Sequence, residues 1–212
     1  MKFRIIVFFA INLAAASLFA LDYRIKTVKI LPIESYPARA TVGGVTIAAD
    51  PYDTDEKSFS AFDIKKLNSD GYFPIHLIIK NDTTLFLKIR TLNVTLVTAS
   101  GQQLYTTPAT VVVDDVIDAG LTSRIPIVGS SDSATSTKTG SPLSDFTAKE
   151  LTNKYVDPGT VIDGFIFFFA QDPKKNLFSG STLYIPKLEE EGTSKTLGPF
   201  FIPLDPAVSA AK

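Results

Sequence analysis

Gly164-Phe-Ile-Phe-Phe-Phe-Ala170 (GFIFFFA) places four phenylalanines in five consecutive positions. In an extended strand, Phe165, Phe167 and Phe169 point one way and Ile166, Phe168 and Ala170 the other. Both faces are then apolar. A sandwich strand usually alternates because one face meets water, so a two-sided run requires the second face to be covered as well. Each fully buried large side chain contributes about 1.5–3 kcal/mol relative to exposure, and a wet face would forfeit several such contributions. The run therefore reads as a central strand whose outer face lies under a helix at 147–155 or under the extended N-terminal segment. The sharper alternative is a partner that covers it, since a large exposed apolar patch marks an interaction site. A lipid-facing strand of an outer-membrane barrel would alternate apolar and polar, which this one does not.

Short strands separated by turn signals lead up to this run. Tyr23 to Ala40 is extended in character, Gly43-Gly44 punctuates, and Val45 to Ala49 alternates up to Asp50-Pro51. The polar, acidic connection 52–70 is expected to carry one short helix around Asp63 to Asn68, ending where Gly71 takes positive φ. Tyr72 to Lys80 (YFPIHLIIK) is expected to turn at Asn81-Asp82 into Leu85 to Ile89. Leu92, Val94 and Leu96 then share one face of a further strand. Thr107-Pro108 has the character of a helix opening, with Val112, Val113, Val116 and Ile117 at helical spacing, although the β-branched run argues for a strand.

Phe146-Thr-Ala-Lys-Glu-Leu151 has the form of a capping box, with Thr147 as cap, Glu150 returning a bond, Phe146 stapled onto Leu151, and a helix to about Tyr155. Strands follow at Val161 to Ala170, Thr182 to Lys187 and Pro199 to Leu204, with turns at Gln171 to Asn176 and Glu189 to Ser194, and a frayed tail from Ser209. This pattern predicts a mainly β chain: an all-β antiparallel sandwich with two or three short helices in connections. One domain spans 21–212, and the polar stretch Ser130 to Ser141 (SSDSATSTKTGS) is expected to be a flexible loop.

Residues 1–20 differ from everything after them. Lys2 and Arg4 precede an apolar run from Ile5 to Leu21 with a cluster of small residues, the pattern of a signal peptide. Cleavage is expected after Ala20, with Ala16 as the second choice. The rival is an uncleaved anchor, because 17 residues approach the roughly 20 needed to span a bilayer. Without Lys2 and Arg4 the chain has 19 basic against 22 acidic side chains, a formal charge of −3. Nucleic acids and anionic membranes both need a basic footprint, so neither is expected as a partner. The chain has no Cys, which excludes disulfides, thiolate metal sites and thiol nucleophiles.

Candidate chemistry is sparse. His76 is the only histidine, so a Ser/His/Asp triad would have to use it as base, yet it lies within a strand and no GxSxG pattern accompanies it. Carboxylates gather at Asp50, Asp53, Asp55 and Glu56, at Asp114, Asp115 and Asp118, and at Glu189 to Glu191. The first group lacks the glycine and closing glutamate of a calcium loop, so no metal site is expected and solvated acidic turns are the reading. No glycine-rich phosphate loop is present, and no cofactor is expected. Asn81-Asp-Thr83 and Asn93-Val-Thr95 match the glycosylation sequon.

Phe73-Pro-Ile-His-Leu-Ile-Ile-Lys-Asn81, continuing to Gly101, and Asp157-Pro-Gly-Thr-Val-Ile-Asp-Gly-Phe-Ile-Phe167 together resemble small exported bacterial immunoglobulin-like domains of the telokin-like kind. The first stretch is also similar in pattern to the LEA14-like sandwich. The resemblance implies an immunoglobulin-like sandwich without a catalytic centre and transfers no site residues. The functional expectation is a non-catalytic, exported binding or structural module of the bacterial cell envelope, periplasmic or secreted, with an envelope protein as partner. Asp50, Asp53, Asp55 and Glu56 form its candidate interaction surface, beside the 130–141 loop. The alternatives are an envelope hydrolase using His76 or paired carboxylates, and an N-terminally anchored scaffold.

Overall fold

The computed structural model describes residues 23–121, 140–152, 154–172 and 177–209. The signal-peptide reading of 1–20 and most of the 130–141 loop lie outside them. In chain order the strands are β1 Arg39–Val42, β2 Val45–Pro51, β3 Tyr72–Asn81, β4 Leu87–Ile89, β5 Thr95–Val97 and β6 Gln103–Thr107. They continue with β7 Tyr155–Val156, β8 Val161–Phe169, β9 Thr182–Ile185, β10 Leu188–Glu190, β11 Thr196–Leu197 and β12 Phe200–Pro203. Four α-helices accompany them: α1 Asp55–Ala61, α2 Ala109–Leu121, α3 Pro142–Lys149 and α4 Asp205–Ser209.

The fold is mainly β and its strand ladders are antiparallel. Eight strands form one sheet in the order β1-β2-β3-β8-β6-β5-β9-β12, and four form a second in the order β11-β10-β4-β7. β1 and β12, at opposite ends of the large sheet, lie against each other without a ladder, so the sheet curls nearly into a barrel. An immunoglobulin-like sandwich divides its strands between two sheets of similar size, and this division is unequal. The β1–β2 hairpin turns on Gly43-Gly44 at φ of 55° and 86°, the two successive left-handed residues that match the twist of paired strands.

Both faces of the GFIFFFA strand are covered from Phe165 to Phe168, while Phe169 at its end is 43% exposed. Ile166 and Phe168 point into the curled sheet, joining Val45, Ile75, Leu96, Leu183 and Phe200 in the main core. Phe165 and Phe167 point outward into a second core with Phe62, Phe146, Val112 and Val113. Phe62 lies 4.2 Å from Phe146 with the rings tilted at 33° and meets Phe165 edge-on at 4.9 Å, while Phe146 stacks 5.5 Å from Phe167. The N-terminal segment completes this cover. Tyr23 is buried there and its hydroxyl donates to Asp145, 2.6 Å away, which also binds Lys149 at 2.7 Å. Burial and the Asp145 carboxylate push the Tyr23 hydroxyl up, and burial pulls the Lys149 ammonium down.

The helix that forms the lid is not the one the capping box predicts. Ser141 accepts from Ser144 N and Pro142 opens α3, so the helix starts before Phe146 and ends at Lys149. Thr147 lies in its last turn and donates back to Leu143 O, and Glu150 accepts from Ala109 N at the start of α2. The staple fails because Phe146 and Leu151 belong to different cores on opposite sides of the sheet. In α2 helical spacing overrides β propensity, since Val112, Val113 and Val116 bury one face over the phenylalanines.

Other expectations shift for identifiable reasons. The helix expected at 63–68 forms earlier, where Thr54 accepts from Lys57 N and Asp55 and Glu56 occupy the first turn. β3 and β4 are not a hairpin. β3 pairs with β2 and β8 whereas β4 pairs with β10 and β7, and the Asn81-Asp82 segment carries the chain from one sheet to the other. Leu92 falls in a short 3-10 turn, Thr91–Asn93, and is exposed, while Val94 and Leu96 are core. Part of the turn expected at 189–194 is strand β10, with the reversal beyond it. The described residues hold four α-helices against the two or three expected, and α4 follows the last strand and includes Ser209.

Candidate functional site

The outer face of the large sheet is treated differently in its two halves. Over β3 and β8 it lies beneath the helices and the N-terminal segment. Over β6, β5, β9 and β12, strand alternation sends Leu96, Leu104, Leu183, Ile185, Phe200 and Ile202 inward, with Thr106 on the same face opposite Phe168, and leaves the intervening side chains outward. Pairing then aligns the outward set. Thr95 stands opposite both Tyr105 and Tyr184, and Tyr184 opposite Phe201. A second row, Gln103, Val97, Thr182 and Pro203, follows the same register. None of these eight residues is charged.

The first row is aromatic and open. Tyr105 is 65% exposed and Phe201 59%, and the Tyr184 ring lies 5.0 Å from that of Phe201 at 37°. Between Tyr105 and Tyr184, Thr95 is buried. β6 joins β8 with Thr106 opposite Phe168, and the same register one step on sets Tyr105 beside Phe169. Phe169 is 43% exposed and rests 5.2 Å from Tyr72. Phe169, Tyr105, Tyr184 and Phe201 thus form one row across β8, β6, β5, β9 and β12, about 19 Å measured along the curled sheet at the usual strand spacing. The sequence signal for it lies in the alternation of Gln103-Leu-Tyr-Thr-Thr107 and Thr182-Leu-Tyr-Ile185, but only the strand order brings these segments side by side.

His76 is 1% exposed. It faces outward on β3, its ring stacked 4.6 Å from Phe165, and its Nε2–H donates to Asp163 Oδ2 at 2.7 Å. That bond holds the Asp163 carboxyl below its ordinary range. Beside the pair is a cleft of about 270 Å³ lined by Asp163, Lys26, Lys149 and Lys154, and His76 is not part of its wall. The reachable member of the pair is therefore the carboxylate, and the imidazole sits behind it.

The four acidic residues expected as an interaction surface are distributed over β2, the following loop and α1. Asp50 binds Lys57 at 2.6 Å. Asp55 accepts from Asn68 N and Ser69 N and from the Ser69 hydroxyl, which ties α1 to the turn before β3. Asp53 is half-buried and Glu56 exposed. Asp115, from the second acidic group, accepts from the Tyr72 hydroxyl, and Glu189, from the third, binds Arg90 at 2.7 Å and Lys187 at 3.2 Å. Among the described residues no three metal-ligating side chains converge. Asn81 is fully buried, so its sequon is closed to a glycan in the folded chain, while Asn93 is exposed.

No protein-family model matches the chain, and no curated protein matches it in sequence. Among solved structures, a functionally unknown protein from Listeria monocytogenes EGD-e aligns at 10% identity and a TM-score of 0.37, over 78% of this chain and 79% of that one. A "putative lipoprotein (ycdA)" from Bacillus subtilis subsp. subtilis str. 168 aligns at 12% identity and a TM-score of 0.41, over 84% of this chain and 41% of that one. At these scores neither likeness assigns a family. No helix among the described residues is long and apolar enough to cross a membrane.

Proposed function

We propose that the chain is an exported, non-catalytic binding module of the bacterial cell envelope, working through the open half of its large sheet. The observation that carries this reading is the row Phe169, Tyr105, Tyr184 and Phe201, large rings held outward by strands whose other face is core. Single exposed apolar residues are ordinary on any surface, but rings brought onto neighbouring strands by register, with Tyr184 against Phe201, are more than such scatter and are of the kind that marks interaction sites. The N-terminal charge and hydropathy pattern supports export. A hydrolase is disfavoured because its only available imidazole, His76, is sealed under Phe165 and does not line the neighbouring cleft.

The test is retention of the exported chain on washed cell envelopes, comparing wild type with a Tyr105→Ala/Phe201→Ala double variant. The variant is expected to keep its fold and wash off more readily. Retention equal to wild type would remove this face as the functional surface.

A further inference from the structure

Independently of the open half of the sheet, we infer that the cleft beside Asp163 binds a small dipolar ion, a free amino acid. Its space of about 270 Å³ lies near the lower end of ligand pockets, which suits a small molecule rather than a polymer. Three segments line it. Lys26 to Val28 come from the N-terminal segment, Ala148, Lys149 and Lys154 from the end of α3 and the chain beyond it, and Asp163 to Phe165 from β8.

The lining carries both signs of charge. Lys26 binds Asp63 at 3.1 Å and donates to Phe59 O, and Lys154 donates to Asp163 O at 3.3 Å. An ammonium has three N–H groups, so Lys26 and Lys154 can each serve a further acceptor. Lys149 is occupied by Asp145 and by Ala61 O at 2.7 Å, and acts on the cleft through its charge. Burial, and with it the nearby Lys26 charge, pulls the Lys149 ammonium down although Asp145 holds it up. That side of the cleft is short of negative charge.

Asp163 supplies the opposite sign. His76 takes its Oδ2, which leaves Oδ1 able to accept, and the same bond holds the carboxyl below its ordinary range and so ionised at neutral pH. A simple anion meets this carboxylate, and a simple cation meets three ammonium groups. A molecule with a carboxylate and an ammonium a few bonds apart answers both. Its carboxylate accepts from Lys26 and Lys154, and its ammonium donates to Asp163 Oδ1. The groups involved are partly buried, which strengthens such charge-assisted bonds relative to open water. Val28 and Ala148 give an apolar lining for a short side chain.

The experiment measures binding of glycine, L-alanine and D-alanine to the purified exported chain by calorimetry, with acetate and methylammonium as the two half-ligands. Asp163→Asn, Lys26→Gln and Lys154→Gln are compared with Lys195→Gln, an exposed lysine near the second sheet. Circular dichroism confirms that each variant is folded. At least one amino acid should bind, and each half-ligand should bind at least tenfold more weakly. Each of the three cleft variants should weaken amino-acid binding about tenfold, and Lys195→Gln should bind like wild type. Three results would overturn the inference: no amino acid binds, acetate or methylammonium binds as tightly as the amino acids, or the cleft variants bind like wild type.

Discussion

Gly164 stands against the backbone of Leu151 so closely that a Cβ at 164 would lie 3.0 Å from both Leu151 Cα and Lys149 O, and 2.9 Å from Leu151 Cβ. The contact arises where β6 ends its pairing with β8. Past that point Leu151 N donates to Phe165 O at 2.8 Å, and a parallel bridge joins Glu150 to Phe165, so the chain leaving α3 takes over the edge of β8. Position 164 faces inward, and the Leu151 side chain occupies the space its Cβ would need. Gly164→Ala should therefore destabilise the fold by about 1–3 kcal/mol, the usual range for overpacking against a fixed neighbour. Urea unfolding measures it. An unchanged midpoint would show that the 150–151 segment can back away from the strand.

Asn81 joins the two sheets. Its Nδ2 donates to Leu85 O at 2.8 Å and to Val156 O at 3.0 Å, and its Oδ1 accepts from Thr83 N and Thr83 Oγ1 at 3.0 and 2.6 Å. The residue is fully buried. Asn81→Ala removes all four bonds and strands main-chain groups away from water, which should cost about 2–3 kcal/mol. Asn93→Ala, at an exposed site, should stay within about 0.5 kcal/mol of wild type. Equal melting temperatures for the two variants would contradict this account of the crossover.

The Asp163–His76 pair should register in the acid limb of stability. The His76 hydrogen bond depresses the Asp163 carboxyl below its ordinary 3.8, and Lys154 acts in the same direction. A depressed carboxyl binds its proton less readily folded than unfolded, so its contribution is fully present above the unfolded value and disappears as pH falls through the folded one. The stability difference between wild type and Asp163→Asn should accordingly shrink as pH falls below 3.8. Denaturation midpoints for both proteins across the acid range give the comparison. A difference that grows as pH falls below 3.8 would mean that the pair is not what holds the carboxyl down.

Local pattern was enough to read the two-sided phenylalanine strand and its need for a lid, because alternation and burial are properties of one segment. It also sufficed for the Gly43-Gly44 turn and for the helical spacing of the valines in α2. It failed where two local signals competed and a distant contact chose between them. Glu150 satisfies α2 rather than its own helix, and Ser141 with Pro142 supplies the stronger start for α3. The pairing of β4 with β10 and β7 is likewise invisible locally, because their sequence separation carries no pattern. The aromatic row was missed for the same reason: Tyr105, Tyr184 and Phe201 are far apart in the chain and meet only through the strand order.

Two phenyl-sized rings on opposite halves of one sheet should therefore respond oppositely to truncation. Phe165 is 1% exposed, packed among Phe62, Tyr52 and His76, and Phe165→Ala removes a ring that the helices above cannot collapse to replace. The expected loss is about 3–5 kcal/mol, with the melting transition broadened as the lid loosens. Tyr105 is 65% exposed on the open half, and Tyr105→Ala should leave stability within about 0.5 kcal/mol while weakening envelope retention. Thermal unfolding and envelope washing of the two variants read both effects. A large stability loss from Tyr105→Ala would show that the outer row serves the fold, and its exposure would then no longer speak for a ligand.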